Sequence, residues 1–331
     1  MPDLCVALGP LTLKNPILAA AGTYGYGLEF ARAVPLARLG AVTIKTLTRR
    51  PREGHRPPRL VETPAGLLNA VGLQNVGIEP FLTEQWPALR RHGATVIISL
   101  LGESPEELAE MAGLAEQADG IAAVELNLSC PNLPRQVEGG RWKGEGRIAS
   151  TFDLPPSTGL MVAQDPEATG AFVRAARAAT RKPLIAKLSP DVTDVTPIAR
   201  AAQAAGADAL SLGNTFTGMS LDPQTRRSRL GRLTGGLSGP AIRPLAVYRV
   251  WYTARSVELP VIGLGGVRSA EDALEFFLAG ATAVGVGTAN FSDPRAPLRI
   301  LRELERWFAR RGVASIEQFR GTLQGPEADG E

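Results

Sequence analysis

The chain has 331 residues, 44% hydrophobic and 21% charged, with a formal net charge of +3, a balance that excludes global disorder and suits a large buried core. Its two cysteines, Cys5 and Cys130, exclude both a disulfide framework and a four-ligand iron–sulfur cluster. Its two histidines, His55 and His92, leave no basis for expecting a metal site or a His-centred triad, so acid–base chemistry falls to cysteine, lysine, carboxylates or a cofactor.

From the start, Met1-Pro2-Asp3-Leu4 lacks the basic and apolar regions of a secretory leader. No later run approaches the roughly 20 apolar residues of a membrane helix, so a cytoplasmic location with no membrane partner is expected. Eight segments rich in Val, Ile, Leu and Ala then follow: Pro16–Ala21, Ala41–Thr46, Ala94–Leu101, Ala122–Ser129, Pro183–Ser189, Ala209–Asn214, Pro260–Gly266 and Ala283–Thr288. Near-continuous apolar runs of this length fit strands buried on both faces of a parallel sheet. Amphipathic helices lie between them. Ser104-Pro105-Glu106-Glu107 reads as a capping box leading into Leu108, Met111, Ala112 and Ala115. Asp165-Pro166 opens another helix, Ser269-Ala270-Glu271-Asp272 a third, and Leu298, Leu301, Leu304 and Phe308 form the stripe of a closing helix.

Eight such units predict an α/β fold, a (β/α)8 TIM barrel, as one domain over residues 1–322 with a frayed tail at 323–331. A doubly wound open sheet is the competing architecture. Three connections exceed ordinary length: Leu47 to Gly93, Cys130 to Gln164 (with an inserted loop at about 133–164) and Thr215 to Arg243. All three follow strand C-terminal ends, where barrel enzymes build their active sites.

Those strand ends are polar. Of the asparagines, Asn69, Asn127, Asn132 and Asn214 fall at strand ends or in the long loops. An amide offers donors and an acceptor together, which suits a ring of alternating carbonyl and N–H groups; asparagine also simply forms turns. Lys45 and Lys187 sit in apolar contexts, where an unpaired ammonium is costly. They can meet a common anion at the mouth, or a core carboxylate such as Glu125. Leu264-Gly265-Gly266-Val267 and Gly285-Val286-Gly287-Thr288 end the last two strands and supply free backbone N–H groups for a phosphate. Cys130, at the start of a long loop, can act as a base once ionised, or be an inert side chain as Cys5 is expected to be.

Five motifs then carry a resemblance: Asn69-Ala70-Val71-Gly72-Leu73-Gln74-Asn75, Asn127-Leu128-Ser129-Cys130-Pro131-Asn132, Ala186-Lys187-Leu188-Ser189-Pro190, Gly235-Gly236-Leu237-Ser238-Gly239-Pro240-Ala241 and Ala279-Gly280-Ala281-Thr282-Ala283-Val284. Together they resemble class 1 dihydroorotate dehydrogenases. With Asn15-Pro16 and Gly22-Thr23-Tyr24-Gly25-Tyr26-Gly27 the chain is most similar to the class 1B catalytic subunit. The resemblance implies an FMN barrel that oxidises dihydroorotate to orotate in pyrimidine biosynthesis. It implies FMN phosphate contacts at Gly239, Gly265, Gly266, Gly287 and Thr288, and ring contacts at Ala21, Lys45, Thr46, Asn127, Lys187 and Gly213. Ser99 stands where class 1B members often carry asparagine beside the flavin. Orotate is implied at Lys45, Asn69, Ala70, Val71, Gly72, Leu73, Asn127, Asn132, Asn214 and Thr215, with Cys130 as the base.

The resemblance further implies a homodimer and a separate electron-transfer subunit carrying FAD and a [2Fe–2S] cluster, which passes electrons to NAD. The loop after Cys130 is longer than the family habit and is expected to form a lid or a docking arm. Alternatives are an FMN barrel acting on another dihydropyrimidine and a non-catalytic flavin-binding paralogue. A tRNA dihydrouridine synthase needs a helical RNA-binding extension that the residues after the eighth strand do not supply. A net charge of +3 is likewise no footprint for nucleic acid.

Overall fold

The computed structural model describes residues 2–129 and 161–325. All eight predicted strands form: β1 Ile17–Ala19, β2 Ala41–Thr43, β3 Val96–Leu100, β4 Ile121–Asn127, β5 Leu184–Leu188, β6 Ala209–Leu212, β7 Val261–Leu264 and β8 Ala283–Val286. They pair in parallel in chain order, and β8 closes on β1. The closed barrel decides against an open sheet. Its strands are buried almost throughout, because the outer helices cover one face and facing strands the other.

Residues side by side on neighbouring parallel strands share a face, and the face alternates every residue. The register pairs Ser99 with Glu125, Asn127 with Lys187, and Lys187 with Ser211. Two polar layers therefore occupy the barrel interior near the C-terminal ends of β3 to β6. This is where a sequence seeking only a packed core would place valine and leucine.

The helices start where their caps place them. Ser104 accepts from the Glu107 N–H and opens Pro105–Gln117, burying Leu108, Met111, Ala112 and Ala115. The box there is only half made: the Glu107 carboxylate takes the N–H of Glu103, one residue before the cap. Ser269 and Asp272 form the full reciprocal box of Ala270–Leu278. Asp165 caps Pro166–Ala179, and Ala296–Arg311 buries Leu298, Leu301, Leu304 and Phe308.

Two features are absent from the sequence reading. An antiparallel hairpin, Val6–Leu8 with Leu11–Leu13, closes the N-terminal end, its Gly9 packed on Asp208 just before β6. At the other end the first and third long connections join into one antiparallel sheet. Its order is Phe216–Gly218, Gly235–Ser238, Gly66–Asn69, Leu60–Thr63. The expected lid or arm lies outside the described residues except at 161–164, where Val162 and Ala163 are buried and the Ala163 N–H donates to the Leu128 carbonyl. Most of the tail, residues 326–331, lies outside them too. Among the described residues no helix is long and apolar enough to cross a membrane.

Candidate active site

The C-terminal mouth holds a continuous hydrogen-bonded row. Asn214 Nδ2 donates to Ser129 Oγ (2.6 Å), and Ser129 Oγ donates to Asn127 Oδ1 (3.2 Å). Asn127 Nδ2 donates to Thr46 Oγ1 (3.0 Å), which lies 2.9 Å from Ser99 Oγ. Ser99 Oγ donates to Glu125 Oε1 (3.1 Å). A hydroxyl has one proton, so Ser99, having given its own to the carboxylate, accepts from Thr46. Every proton in the row thus points toward Glu125. Lys187 Nζ stands 3.9 Å from the same Oε1, and both residues are buried.

The two lysines part company here. Lys187 has its core carboxylate. Lys45, half-buried just beyond β2, has none within ion-pair distance among the described residues. Burial pushes its ammonium below the usual lysine range; Glu29 lifts it back in part, and the Arg59 guanidinium lowers it further. A half-buried cation without a fixed counter-ion is a place for an anionic ligand.

Arg59, whose charge reaches Lys45, accepts the Ala70 N–H at its carbonyl (2.8 Å) and so adjoins the segment 69–73. Asn69 Nδ2 donates to the Gly236 carbonyl (3.0 Å) across the sheet over the mouth. Gly72 and Leu73 both have positive φ, +77° and +56°, and the Leu73 carbonyl is held by Asn75 Nδ2 at 2.7 Å. A leucine in the left-handed region is a strained position of the kind that clusters at ligand sites. Among the described residues, no group of the chain accepts from the backbone N–H of Val71, Gly72 or Leu73. Thr215 packs against Gly236 from the other side, and a Cβ on Gly236 would collide with its hydroxyl. Gly236→Ala is therefore expected to push Thr215 and Asn69 apart and cost about 1–3 kcal/mol of stability. Thermal unfolding and orotate titration check this together.

Opposite, three glycine turns converge. A Cβ on Gly266 would lie 2.8 Å from the Gly239 carbonyl, and one on Gly239 would lie 3.6 Å from Thr288 Cγ2. Gly265, Gly266 and Gly239 all have positive φ, and nothing lies nearer than 3.9 Å to a Cβ placed on Gly287. Asp272 pins the turn from behind, accepting the N–H groups of Arg268 (2.8 Å) and Ser269 (3.0 Å) while pairing with Arg243. These turns bring backbone close together at the end of β7 and leave open space at Gly287, after β8. The arrangement fits a phosphate group.

A family model described as dihydroorotate dehydrogenase matches residues 3–143 and 155–308. The chain belongs to the dihydroorotate dehydrogenase family. Among its relatives, the proteins named "Dihydroorotate dehydrogenase B (NAD(+)), catalytic subunit" from Pelobacter propionicus and Geobacter sulfurreducens are each 47% identical over 323 residues. In both cases 98% of this chain and 99% of the relative are covered. The protein of the same name from Desulforudis audaxviator is 48% identical over 316 residues, 96% of each chain.

The site residues expected from the family pattern meet as follows. Ala21 and Lys187 line one small cavity on the barrel axis with Thr43, Glu125 and Ser211. Thr46, Ser99, Asn127 and Asn214 share the hydrogen-bonded row, and Gly213 turns immediately after β6 with φ +114°. Asn69 and Thr215 meet at Gly236; Gly239, Gly265, Gly266, Gly287 and Thr288 belong to the converging turns. His55 and Val71 tie the 69–73 segment to the loop after β2 through a 2.9 Å backbone bond. Cys130 and Asn132 lie outside the described residues. Sequence reading missed Ser129, which bridges two asparagines, and Arg59, whose charge reaches Lys45. It also missed Ser211, whose buried hydroxyl has no hydrogen-bond partner among the described residues. Ser211 is paired in register with Lys187, a relation that only the closed barrel reveals.

Proposed function

We propose that this chain is an FMN-dependent dihydroorotate dehydrogenase that oxidises dihydroorotate to orotate in de novo pyrimidine synthesis. The row of Asn127, Ser129 and Asn214 beside an unpaired Lys45 carries the reading. Fixed amides and hydroxyls match the alternating carbonyl and N–H groups of a cyclic imide, and the ammonium matches its ring carboxylate. The relatives' name supports the choice of ring.

FMN fits the chemistry of the donor set. Its phosphate would be held by Gly239, Gly265, Gly266, Gly287 and Thr288, and its ring by Ala21, Lys45, Thr46, Ser99, Asn127, Lys187 and Gly213. When bound, FMN would supply the hydride acceptor for the reaction. Lys45 and the 69–73 backbone would bind the carboxylate, while Asn69, Asn127, Asn132, Asn214 and Thr215 orient the ring. Cys130 would remove the C5 proton as a thiolate base.

Electrons would then leave through a separate polypeptide with FAD and a [2Fe–2S] cluster to NAD, with the catalytic chains paired as a homodimer in the cytoplasm. The relatives' designation as catalytic subunits of an NAD(+)-linked enzyme supports that partner, and two cysteines are too few to hold the cluster in this chain. Two measurements test the reading. The purified protein should carry FMN, released on heating, and orotate should perturb the flavin absorption. NAD reduction should require the co-purified partner, with fumarate a poor substitute. A protein that takes up no FMN, or whose flavin is blind to orotate, contradicts it.

A further inference from the structure

The hydrogen-bonded row ends on Glu125, and nothing in the reaction described so far uses that carboxylate. Glu125 lies on β4 with 3% of its surface exposed. Its side chain lines the axial cavity together with Thr43, Ala21, Lys187 and Ser211. Two groups of the described chain address it: the Ser99 hydroxyl at 3.1 Å and the Lys187 ammonium at 3.9 Å. Such a buried pair need add little to stability, because desolvating the two charges commonly offsets their attraction. Nor is it a remote core feature. Asn127, two residues along the same strand, faces the same interior and is paired in register with Lys187.

We propose that Glu125 is a positioning residue that sets, through Lys187, how readily the bound flavin accepts electrons. The proposal rests on the FMN reading above. Charge close to a flavin ring tunes its electronics, and in a low-dielectric interior that influence is strong. Lys187 brings one positive charge to the ring's site, and Glu125 offsets that charge and fixes where Nζ stands. The donors that run from Asn127 through Thr46 and Ser99 converge on the same Oε1, so the carboxylate also orients the amide beside the substrate. Ser99 is the link: its short hydroxyl reaches both Thr46 and Glu125, joining the mouth to the buried pair.

Glu125→Gln keeps the shape and still accepts from Ser99, but leaves the Lys187 charge without its counter-charge. Reduction of the flavin adds negative charge, so the variant is expected to shift the equilibrium toward the reduced form. The shift should be at least about tenfold, which is about 30 mV in midpoint potential for a two-electron couple. In a Lys187→Met background the same change should have a much smaller effect, because the cation through which Glu125 acts is gone. Ser99→Ala, should the first variant fail to fold, is expected to move the potential in the same direction by less.

The measurement is anaerobic redox titration of the FMN-loaded protein, followed by its absorption spectrum, with FMN content and melting temperature recorded for each variant. A merely structural pair predicts altered melting with an unchanged potential, and that result overturns the inference. So does an equal shift in the wild-type and Lys187→Met backgrounds. A wild-type protein that takes up no FMN overturns this inference together with the function above, whereas loaded variants at the wild-type potential overturn this inference alone.

Discussion

Cys130→Ala is expected to bind FMN and orotate as the parent does, yet to be reduced by dihydroorotate about 10²–10⁴-fold more slowly, the range spanned by loss of a general base. The expectation rests on elimination and on the placement of the preceding residue. Among the ionisable groups at the mouth, Lys187 is tied to Glu125, and Glu125 lies inside the barrel. Lys45 is assigned by the proposed function to the substrate carboxylate, as a cation. Ser129, the last described residue before Cys130, is buried and held twice, by donation to Asn127 and from Asn214. Cys130 thus follows in sequence directly on a residue fixed between the two amides that the proposed function assigns to the substrate. Cys130→Ser offers a second comparison: a hydroxyl is a far weaker base near neutrality, so its reduction rate should recover as pH rises. Rapid mixing under anaerobic conditions reads both rates. Undiminished reduction of Cys130→Ala removes the cysteine from the mechanism.

Lys45→Met is expected to weaken orotate binding by about 10- to 100-fold, the worth of a charge-assisted hydrogen bond, while leaving the affinity for uracil nearly unchanged. The ratio of the two affinities isolates the carboxylate contact from general damage to the site. The same substitution carries an opposite effect on the ligand-free fold. Burial holds the Lys45 ammonium below its ordinary value of 10.5, so its charge opposes folding at neutral pH. Between the lowered value and 10.5 the unfolded chain binds more protons than the folded one, and stability contributed at this position rises with pH. Lys45→Met should abolish that alkaline rise and melt no lower than the parent near neutrality. Loss of orotate affinity accompanied by lower stability would argue instead that Lys45 has a structural anion partner.

The barrel was legible because its strands are buried on both faces and its helices carry caps that can be read locally. The mouth was partly legible for the opposite reason, since Lys45, Asn127, Lys187 and Asn214 are polar residues where apolar strands end. What could not be read was pairing between distant segments. Glu125 stood as one option for Lys187, but only the closed register, with Asn127 beside Lys187, brings the two together, and Lys45 is left without a carboxylate among the described residues. The sheet over the mouth was hidden in the same way. Gly235–Ser238 reads as a loop because of its paired glycines, and it becomes a strand by pairing with Gly66–Asn69 from another long connection. Gly236 is needed there because Thr215 presses on it while Asn69 holds its carbonyl. The Glu107 side chain turns to Glu103 for a local reason: an N–H one residue before the cap was the better-placed donor.

Anaerobic mixing of the FMN-loaded protein with dihydroorotate tests the central claim most directly. Rapid bleaching of the flavin, with one orotate formed per flavin reduced and no bleaching by dihydrouracil, is the predicted result. A flavin that stays oxidised with dihydroorotate, or that bleaches equally with the uncarboxylated ring, would contradict it.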